Sequence, residues 1–286
     1  MDLLLITNDF KVPTFKRLIE ECKNLSIGIK TLNPELITQR MPFTMHSDKV
    51  LNRFTSVNGY DLDLQLLSRG DQSKYINRIK GIQIARSKLT QSSYFSHANL
   101  PTISTLFIQG AVNFEIVTSF LQNYGQCFLS KPIRGNGGRG ITFFDSHKSL
   151  LSYLETCQVM KDQRFIIQPF IESKKELRIL MVNHEPFIAI NKTSPLKGPE
   201  FRRNLSRINQ LELEDISKLD TNLLTSCKSI CKDLELRLCA IDLMQDKSGE
   251  YLFLEINSVP GWAYMEEFLD LKKRNLTREI LEHIVE

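Results

Sequence analysis

Two apolar runs near the end of the chain each carry an acid. They read Ala240-Ile-Asp242-Leu-Met and Tyr251-Leu-Phe-Leu-Glu255-Ile-Asn257, separated by the turn Asp246-Lys-Ser-Gly249. A charge buried without a partner costs several kcal/mol or is neutralised, so a carboxylate among greasy strand residues asks for one. Glu255 and Asn257 are two apart and share one strand face. An antiparallel pairing of the two runs would bring Asp242 beside them. A lone strand carboxylate is usually solvated, but three oxygen donors arranged in this way read as ligands for a hard cation. Magnesium takes one or two carboxylates and fills its remaining positions with water and phosphate oxygens. The three residues therefore point toward a nucleotide.

Upstream, Lys131-Pro-Ile-Arg134 runs into Gly135, Gly137, Gly138 and Gly140, four glycines in six positions. Glycine lets backbone N–H groups turn inward toward an oxyanion. Lys131 adds a point charge suited to phosphate, and Arg134 and Arg139 add more. The stretch lies between two expected strands, so it is neither a P-loop nor a dinucleotide fingerprint, both of which open a helix. It reads as a hairpin lid, although a glycine-rich turn without a ligand has the same composition. A second motif, Gln168-Pro169-Phe170-Ile171 with Glu176 and Arg178 downstream, can offer backbone groups to an adenine edge and a carboxylate to ribose. A surface strand pair with solvated charges reads as well there. A third, Arg202, Arg203, Asn204 and Arg207 near Lys192 and Lys197, is either an anion-binding loop or a solvated basic one.

Short strands and helices carry these groups. Strands over 3–7 and 27–32 flank a helix over 13–25 with Phe15, Leu18, Ile19 and Cys22 on one face, which predicts a small α/β lobe with a parallel sheet. Residues 34–70 show no clear pattern. Helices are expected over 72–83 and 88–97, and a strand over 103–107. An amphipathic helix over 111–123 should end at Gly125. Strands over 127–131 and 141–144 flank the glycine-rich turn, and a helix follows over 146–157. Strands are expected over 165–171, 177–182 and 186–191, then a polar loop over 195–209 and one long helix over 216–234. The two acid-bearing strands and one or two helices close the chain.

The 286 residues allow a large core in two or three lobes. A net charge of +4 suits a polyanion such as ATP. It makes no case for nucleic acid, which needs a clustered basic face interleaved with aromatics. No run approaches the ~20 apolar residues of a membrane span, and the N-terminus has no signal-peptide pattern. The six cysteines, at 22, 127, 157, 227, 231 and 239, show no CxxC or zinc spacing and read as core thiols of a cytoplasmic protein.

The order of these motifs resembles the ATP-grasp ligases, in particular the RimK-like glutamate ligase branch, from about Lys88 to Trp262. The resemblance implies a mixed α/β (α+β) ATP-grasp fold with an N-terminal lobe over 1–87 and an ATP-grasp domain over 88–286. The latter divides into a lid over about 100–170 and a C-terminal part over about 171–286. It implies ADP-forming carboxylate–amine ligation through an acyl phosphate, with ATP and two magnesium ions that manganese can replace. Carried over by position, Lys88 and Lys131 are the ATP-binding lysines. Gly135, Gly137, Gly138 and Gly140 form the lid, Pro169 and Phe170 the adenine hinge, and Glu176 the acid near the ribose. Arg202, Arg203 and Asn204 match the family's Arg-Ser-Asn step. Asp242, Glu255 and Asn257 match its magnesium ligands. Arg178, Lys192 and Arg207 stand where the carboxylate substrate or acyl phosphate would be held.

This chain departs from the pattern at Ser87, where the family usually has Asp, at Pro169, which lacks an N–H, and at Arg203, which replaces a small residue. The adenine contact must then come from the Phe170 or Ile171 N–H. Glutamate is the expected amino acid. The Ser258-Val-Pro-Gly-Trp262 segment is reminiscent of a subgroup acting on pterin-type cofactors. A protein C-terminus, an amino-group carrier protein or a small peptide are the alternative acceptors. A non-catalytic ATP-binding module is the alternative class. No nucleic-acid or membrane partner is expected, and a homo-oligomer fits the pattern.

Overall fold

The computed structural model describes residues 1–36, 47–55, 61–68, 70–135, 137–159, 164–173, 175–192, 211–268 and 274–285. Three sheets organise them. The first is parallel, in the order β2-β1-β3, from β1 (Asp2–Ile6), β2 (Gly28–Leu32) and β3 (Lys49–Asn52). Leu3 to Ile6 are all buried, as expected of a central parallel strand covered on both faces. Helix α1 (Pro13–Asn24) starts on a proline, whose missing N–H costs nothing in the first turn, and buries Phe15, Leu18 and Cys22. Strand β3 lies inside the stretch that showed no pattern, as does the short α2 (Leu62–Leu67).

The expected helix over 72–83 is interrupted. A 3-10 turn at Gln72–Lys74 gives way to extended chain before α3 (Ile79–Ala85), and α4 (Lys88–His97) follows. The interruption has a tertiary cause. Tyr75 bridges Val50, and the buried Asn77 side chain accepts from the Leu238 N–H at 2.9 Å while donating to the Leu238 and Ser258 carbonyls. Those bonds hold the chain extended against its local helical pattern.

The second sheet is antiparallel, in the order β4-β7-β5-β6, from β4 (Leu106–Gln109), β5 (Phe128–Pro132), β6 (Thr142–Phe144) and β7 (Arg164–Pro169). Helices α5 (Phe114–Asn123) and α6 (His147–Val159) cover one face through Val117, Leu121, Leu150 and Leu154. The strand expected over 103–107 begins only at Leu106 because Pro101 and Thr102 pair with Phe253 instead.

The third sheet is antiparallel, in the order β10-β9-β8-β11-β12. Its strands are β8 (Lys175–Val182), β9 (Glu185–Lys192), β10 (Leu211–Glu214), β11 (Leu238–Gln245) and β12 (Tyr251–Asn257). Strand β10 was not expected. The helix expected over 216–234 is α7 (Thr221–Asp233), preceded by a separate 3-10 turn at Ile216–Lys218. The Asp215 carboxylate takes the Ser217 N–H and Asp220 caps α7 by taking the Leu223 N–H, so two local caps divide one apolar pattern. The back of this sheet packs Leu177, Ile179, Ile241 and Leu243 against Cys227, Ile230 and Cys231 of α7. The described cysteines are free, and all but Cys127 are buried.

The chain then returns to its beginning. Helices α8 (Ala263–Phe268) and α9 (Leu276–Val285) bring Met265, Leu276, Ile280 and Ile284 into the same cluster as Leu3, Leu5, Phe15 and Leu18. Trp262 sits fully buried in that cluster, and its indole N–H donates to Thr277 Oγ1 at 3.0 Å. No helix of the described residues is long and apolar enough to cross a membrane. Trp262→Ala is expected to lower unfolding free energy by about 3–5 kcal/mol, as for other buried Trp truncations. Urea unfolding checks this, and a loss under ~1 kcal/mol would show that the return segment is not an anchor.

Candidate active site

Register fixes the floor of the site. Asp242 stands opposite Glu255 across β11 and β12, and Asn257 stands opposite Ala240. On the other side Asp242 stands opposite Arg178, and across β8 and β9 Glu176 stands opposite Lys192. Opposed residues and those two apart along a strand share a face. Glu176, Arg178, Lys192, Asp242, Met244, Glu255 and Asn257 therefore line one surface, and all of them border a single cavity. The register of β12 slips by one residue beside Asp242 and Leu243, a β-bulge that turns Leu254 as well as Glu255 into the cavity.

Asp242 is the centre of this surface and is 5% exposed. Arg178 forks onto it, Nε to Oδ1 at 2.8 Å and Nη2 to Oδ2 at 2.5 Å, and Lys192 Nζ donates to Oδ1 at 3.1 Å. Burial pushes the Asp242 carboxyl up, but the adjacent Arg178 and Lys192 charges and their hydrogen bonds outweigh it and hold the group far below the usual carboxylate range. Burial likewise opposes the Arg178 charge, and Asp242 more than restores it. Lys192 also lies 3.6 Å from Glu176 Oε2, and Lys88 Nζ lies 3.7 Å from Glu255 Oε2.

A carboxylate offers about four acceptor positions. Asp242 commits three, which leaves one. The Glu255 side chain is 37% exposed and, among the described residues, makes one long ion pair, with the Lys88 amine at 3.7 Å, so its oxygens can be shared with an ion. Asn257 Oδ1 takes the Val259 N–H at 2.9 Å and keeps a second lone pair. Among the described residues no three of His, Cys, Asp or Glu cluster as a self-contained metal cage. Two carboxylates and an amide oxygen suit magnesium, which expects water and phosphate in its remaining positions.

The roof of the cavity is the inner face of the second sheet, with Leu129 and Lys131 from β5 and Ile166 and Gln168 from β7. Lys131 Nζ donates to Gln168 Oε1 at 2.8 Å, and Gln168 in turn donates to Thr105 Oγ1 at 2.8 Å. The sequence motif contains Gln168 but assigns it no role. The signal was there: it is a polar residue on the same face as Ile166, two positions away from it. Burial, reinforced by the charge of Lys88, pulls the Lys131 amine down to about 8. Lys88 starts α4, whose N-cap Ser87 accepts from the Thr90 N–H, and its own N–H donates to the Ile133 carbonyl at 2.8 Å.

Gly137 and Gly138 border the cavity in the left-handed region, at φ +62° and +69°. Gly140, also left-handed, does not border it; a Cβ there would meet the Pro132 ring at 3.3 Å. Gly135 and Arg139 do border it. Arg134 turns elsewhere. It forks onto Asp61 at 3.2 and 3.1 Å, tying the root of the loop to the first lobe. Arg86 holds the same Asp61 and the buried Asp63.

The far end of the cavity is apolar, formed by Ile103, Ile171, Met244 and Leu254 beside Pro169 and Phe170. The Phe170 N–H is already given to the Cys127 carbonyl at 2.8 Å, so of the two N–H groups expected to meet an adenine edge that of Phe170 is engaged. The cavity measures about 580 Å³. Arg202, Arg203, Asn204 and Arg207 lie outside the described residues.

Two antiparallel sheets facing each other across a lysine-lined cleft, one bearing a glycine-rich hairpin and the other paired acids, define an ATP-grasp protein. The chain belongs to the family described as prokaryotic glutathione synthetase, ATP-grasp domain, whose model matches residues 93–261. It is 26% identical over 210 residues to a protein of Vibrio vulnificus (strain YJ016) named probable alpha-L-glutamate ligase, covering 72% of this chain and 66% of that one. The chain thus spans just under two thirds of that relative's length. A RimK domain ATP-grasp protein from Sphaerobacter thermophilus DSM 20745 superposes with a TM-score of 0.70 at 13% identity, covering all of both chains. D-alanine–D-alanine ligase from Bacillus anthracis, complexed with ATP, superposes with a TM-score of 0.72 at 16% identity, covering 100% of this chain and 95% of that one.

A phosphate-binding role for Lys131 needs its proton, and burial pulls its amine down to about 8. Affinity for Mg-ATP is expected to be full below that pH and to fall by roughly tenfold between pH 7 and 9. Lys131→Arg should flatten the profile, because guanidinium stays charged. Nucleotide titration at the two pH values checks this, and equal wild-type affinities would contradict it.

Proposed function

We propose that this chain is an ATP-dependent carboxylate–amine ligase that adds glutamate to an acceptor through an acyl phosphate. The observation that carries the reading is the single sheet face on which Arg178, Lys192, Asp242 and Glu255 meet, facing Lys131 across the cleft. ATP would lie with its adenine between Pro169–Ile171 and the Met244–Leu254 wall, and its phosphates under Gly135–Gly138 with Lys88 and Lys131. Asp242, Glu255 and Asn257 would hold magnesium, which when bound neutralises the phosphate oxygens.

A carboxylate oxygen attacks the γ-phosphorus and ADP departs. The amine nitrogen then attacks the acyl carbonyl, loses a proton and expels phosphate. The chain's own part is positioning and charge. Arg178 stays cationic beside Asp242 and can steady the negative oxygens of the transferring group, with Lys192 next to it. The glycine-rich hairpin excludes water that would hydrolyse the acyl phosphate.

Glutamate follows from the names of the relatives. The pterin-type acceptor rests on the segment ending at Trp262. That side chain is buried in the core shared with α9, and the acceptor is decided by assay. A folate- or pterin-like glutamyl acceptor, a peptide ending in glutamate and an amino-group carrier protein are the candidates to supply.

Glu255→Gln keeps the shape of the side chain and removes its charge. It is expected to lower glutamate-dependent ADP formation at least a hundredfold while the fold is retained. Turnover within tenfold of wild type would remove Glu255 from the metal site. A wild-type protein that binds Mg-ATP but forms no ADP with any carboxylate–amine pair would favour the non-catalytic module.

A further inference from the structure

Arg53, just beyond the C-terminal end of β3, is 8% exposed and lies outside the machinery described above. The structure gives it two partners. Its Nη1 donates to the Pro260 carbonyl at 2.6 Å, and its guanidinium lies over the Trp262 ring at 4.9 Å. Two other guanidinium groups are comparably enclosed, and they differ in one respect. Arg86 forks onto Asp63 and Arg178 onto Asp242. Among the described residues no carboxylate pairs with Arg53, and burial alone pulls it down to about 10. Buried charges in folded proteins are as a rule paired, because an uncompensated one is costly.

The place and the remaining donors both indicate the kind of anion. The C-terminal ends of parallel strands form the crevice in which open α/β sheets take ligands. Arg53 stands at that end of the first sheet, continuing β1 through its N–H to the Ile6 carbonyl at 2.7 Å. It is held against Pro260, three residues after Asn257 of the candidate metal strand. The same turn leads toward the floor of the cleft. The buried Tyr264 hydroxyl makes no hydrogen bond of good geometry and lies beside the Arg178 guanidinium, and its ring is 4.0 Å from where a Gly261 Cβ would be. Trp262 covers a face of the Arg53 guanidinium and Pro260 takes one N–H. Among the described residues nothing takes the Nε and Nη2 donors, the in-plane edge whose geometry matches a planar carboxylate.

We propose that Arg53 docks a carboxylate of an amino-acid or peptide substrate, one that is not itself activated, and so selects acidic substrates for the cleft. This rests on the ligase reading above. Arg53 then belongs to substrate recognition and takes no part in nucleotide binding.

The test uses the full chain with magnesium and a non-hydrolysable ATP analogue, with L-glutamate and L-glutamyl-L-glutamate as probes. In wild-type protein labelled with 15N-arginine, the Arg53 Nε–H signal is expected to shift as a probe saturates. Arg53→Gln is expected to weaken probe binding at least thirtyfold and to leave the affinity for the ATP analogue within twofold. Should Arg53→Gln fail to fold, the wild-type spectrum decides on its own. Saturation by both probes with an unmoved Arg53 signal, or unchanged probe affinity in a folded Arg53→Gln, overturns the proposal while leaving the ligase reading intact. Wild-type protein that binds neither analogue nor probe overturns both.

Discussion

A carboxylate buried in the middle of a five-stranded sheet has to keep cations against it or give up its charge. Asp242 keeps two, Arg178 from the neighbouring strand and Lys192 from the strand beyond. Removing one partner of such a cluster typically costs about 3–5 kcal/mol, because the remaining charge is left uncompensated. The order β9-β8-β11-β12 is what makes the cluster possible, since each strand presents its polar residue at the register of the next. The same pairing sets Glu255 and Asn257 beside Asp242, on the rim where the cavity opens.

The second sheet complements this floor with a cation of its own, whose charge Glu255 and Glu176 of the floor favour. Lys131 is held by Gln168 and Gln168 by Thr105, so a lysine that burial would discharge is aimed at the cleft by neutral partners. A cation held this way keeps its attraction for an incoming anion, whereas a carboxylate partner would cancel it. The first lobe is tied to the segments bordering the cleft at two points. Asp61 grips Arg134 at the root of the glycine-rich loop, and Arg53 leans on the turn that follows β12. The return of α8 and α9 into the core of the first sheet fixes that lobe against the floor.

The chemistry of the cleft was legible wherever it depended on local pattern. Two apolar runs, each carrying an acid, on either side of a turn gave the acid-bearing hairpin, and the lysine before the glycines gave the lid. What escaped was set by distant partners. Asn77 holds residues 75–78 extended because its amide satisfies Leu238 and Ser258, more than 160 residues away in sequence. Arg134 read as added positive charge in the glycine-rich turn, yet Asp61 claims it, a residue from the stretch without pattern. Trp262, at the end of the segment that suggested an acceptor, is a core side chain bonded to Thr277, a packing role that its place in the sequence did not reveal. Strand β10, four residues long, carries too short a pattern to distinguish from loop.

The central claim is that the Asp242–Glu255–Asn257 edge and the Lys131 roof form one site for a magnesium-bound nucleoside triphosphate. Calorimetric titration of a non-hydrolysable ATP analogue, with magnesium and again in EDTA, tests it most directly. The account predicts binding at least tenfold tighter with magnesium, the difference disappearing in Asp242→Asn. Equal affinity in the two buffers would contradict it.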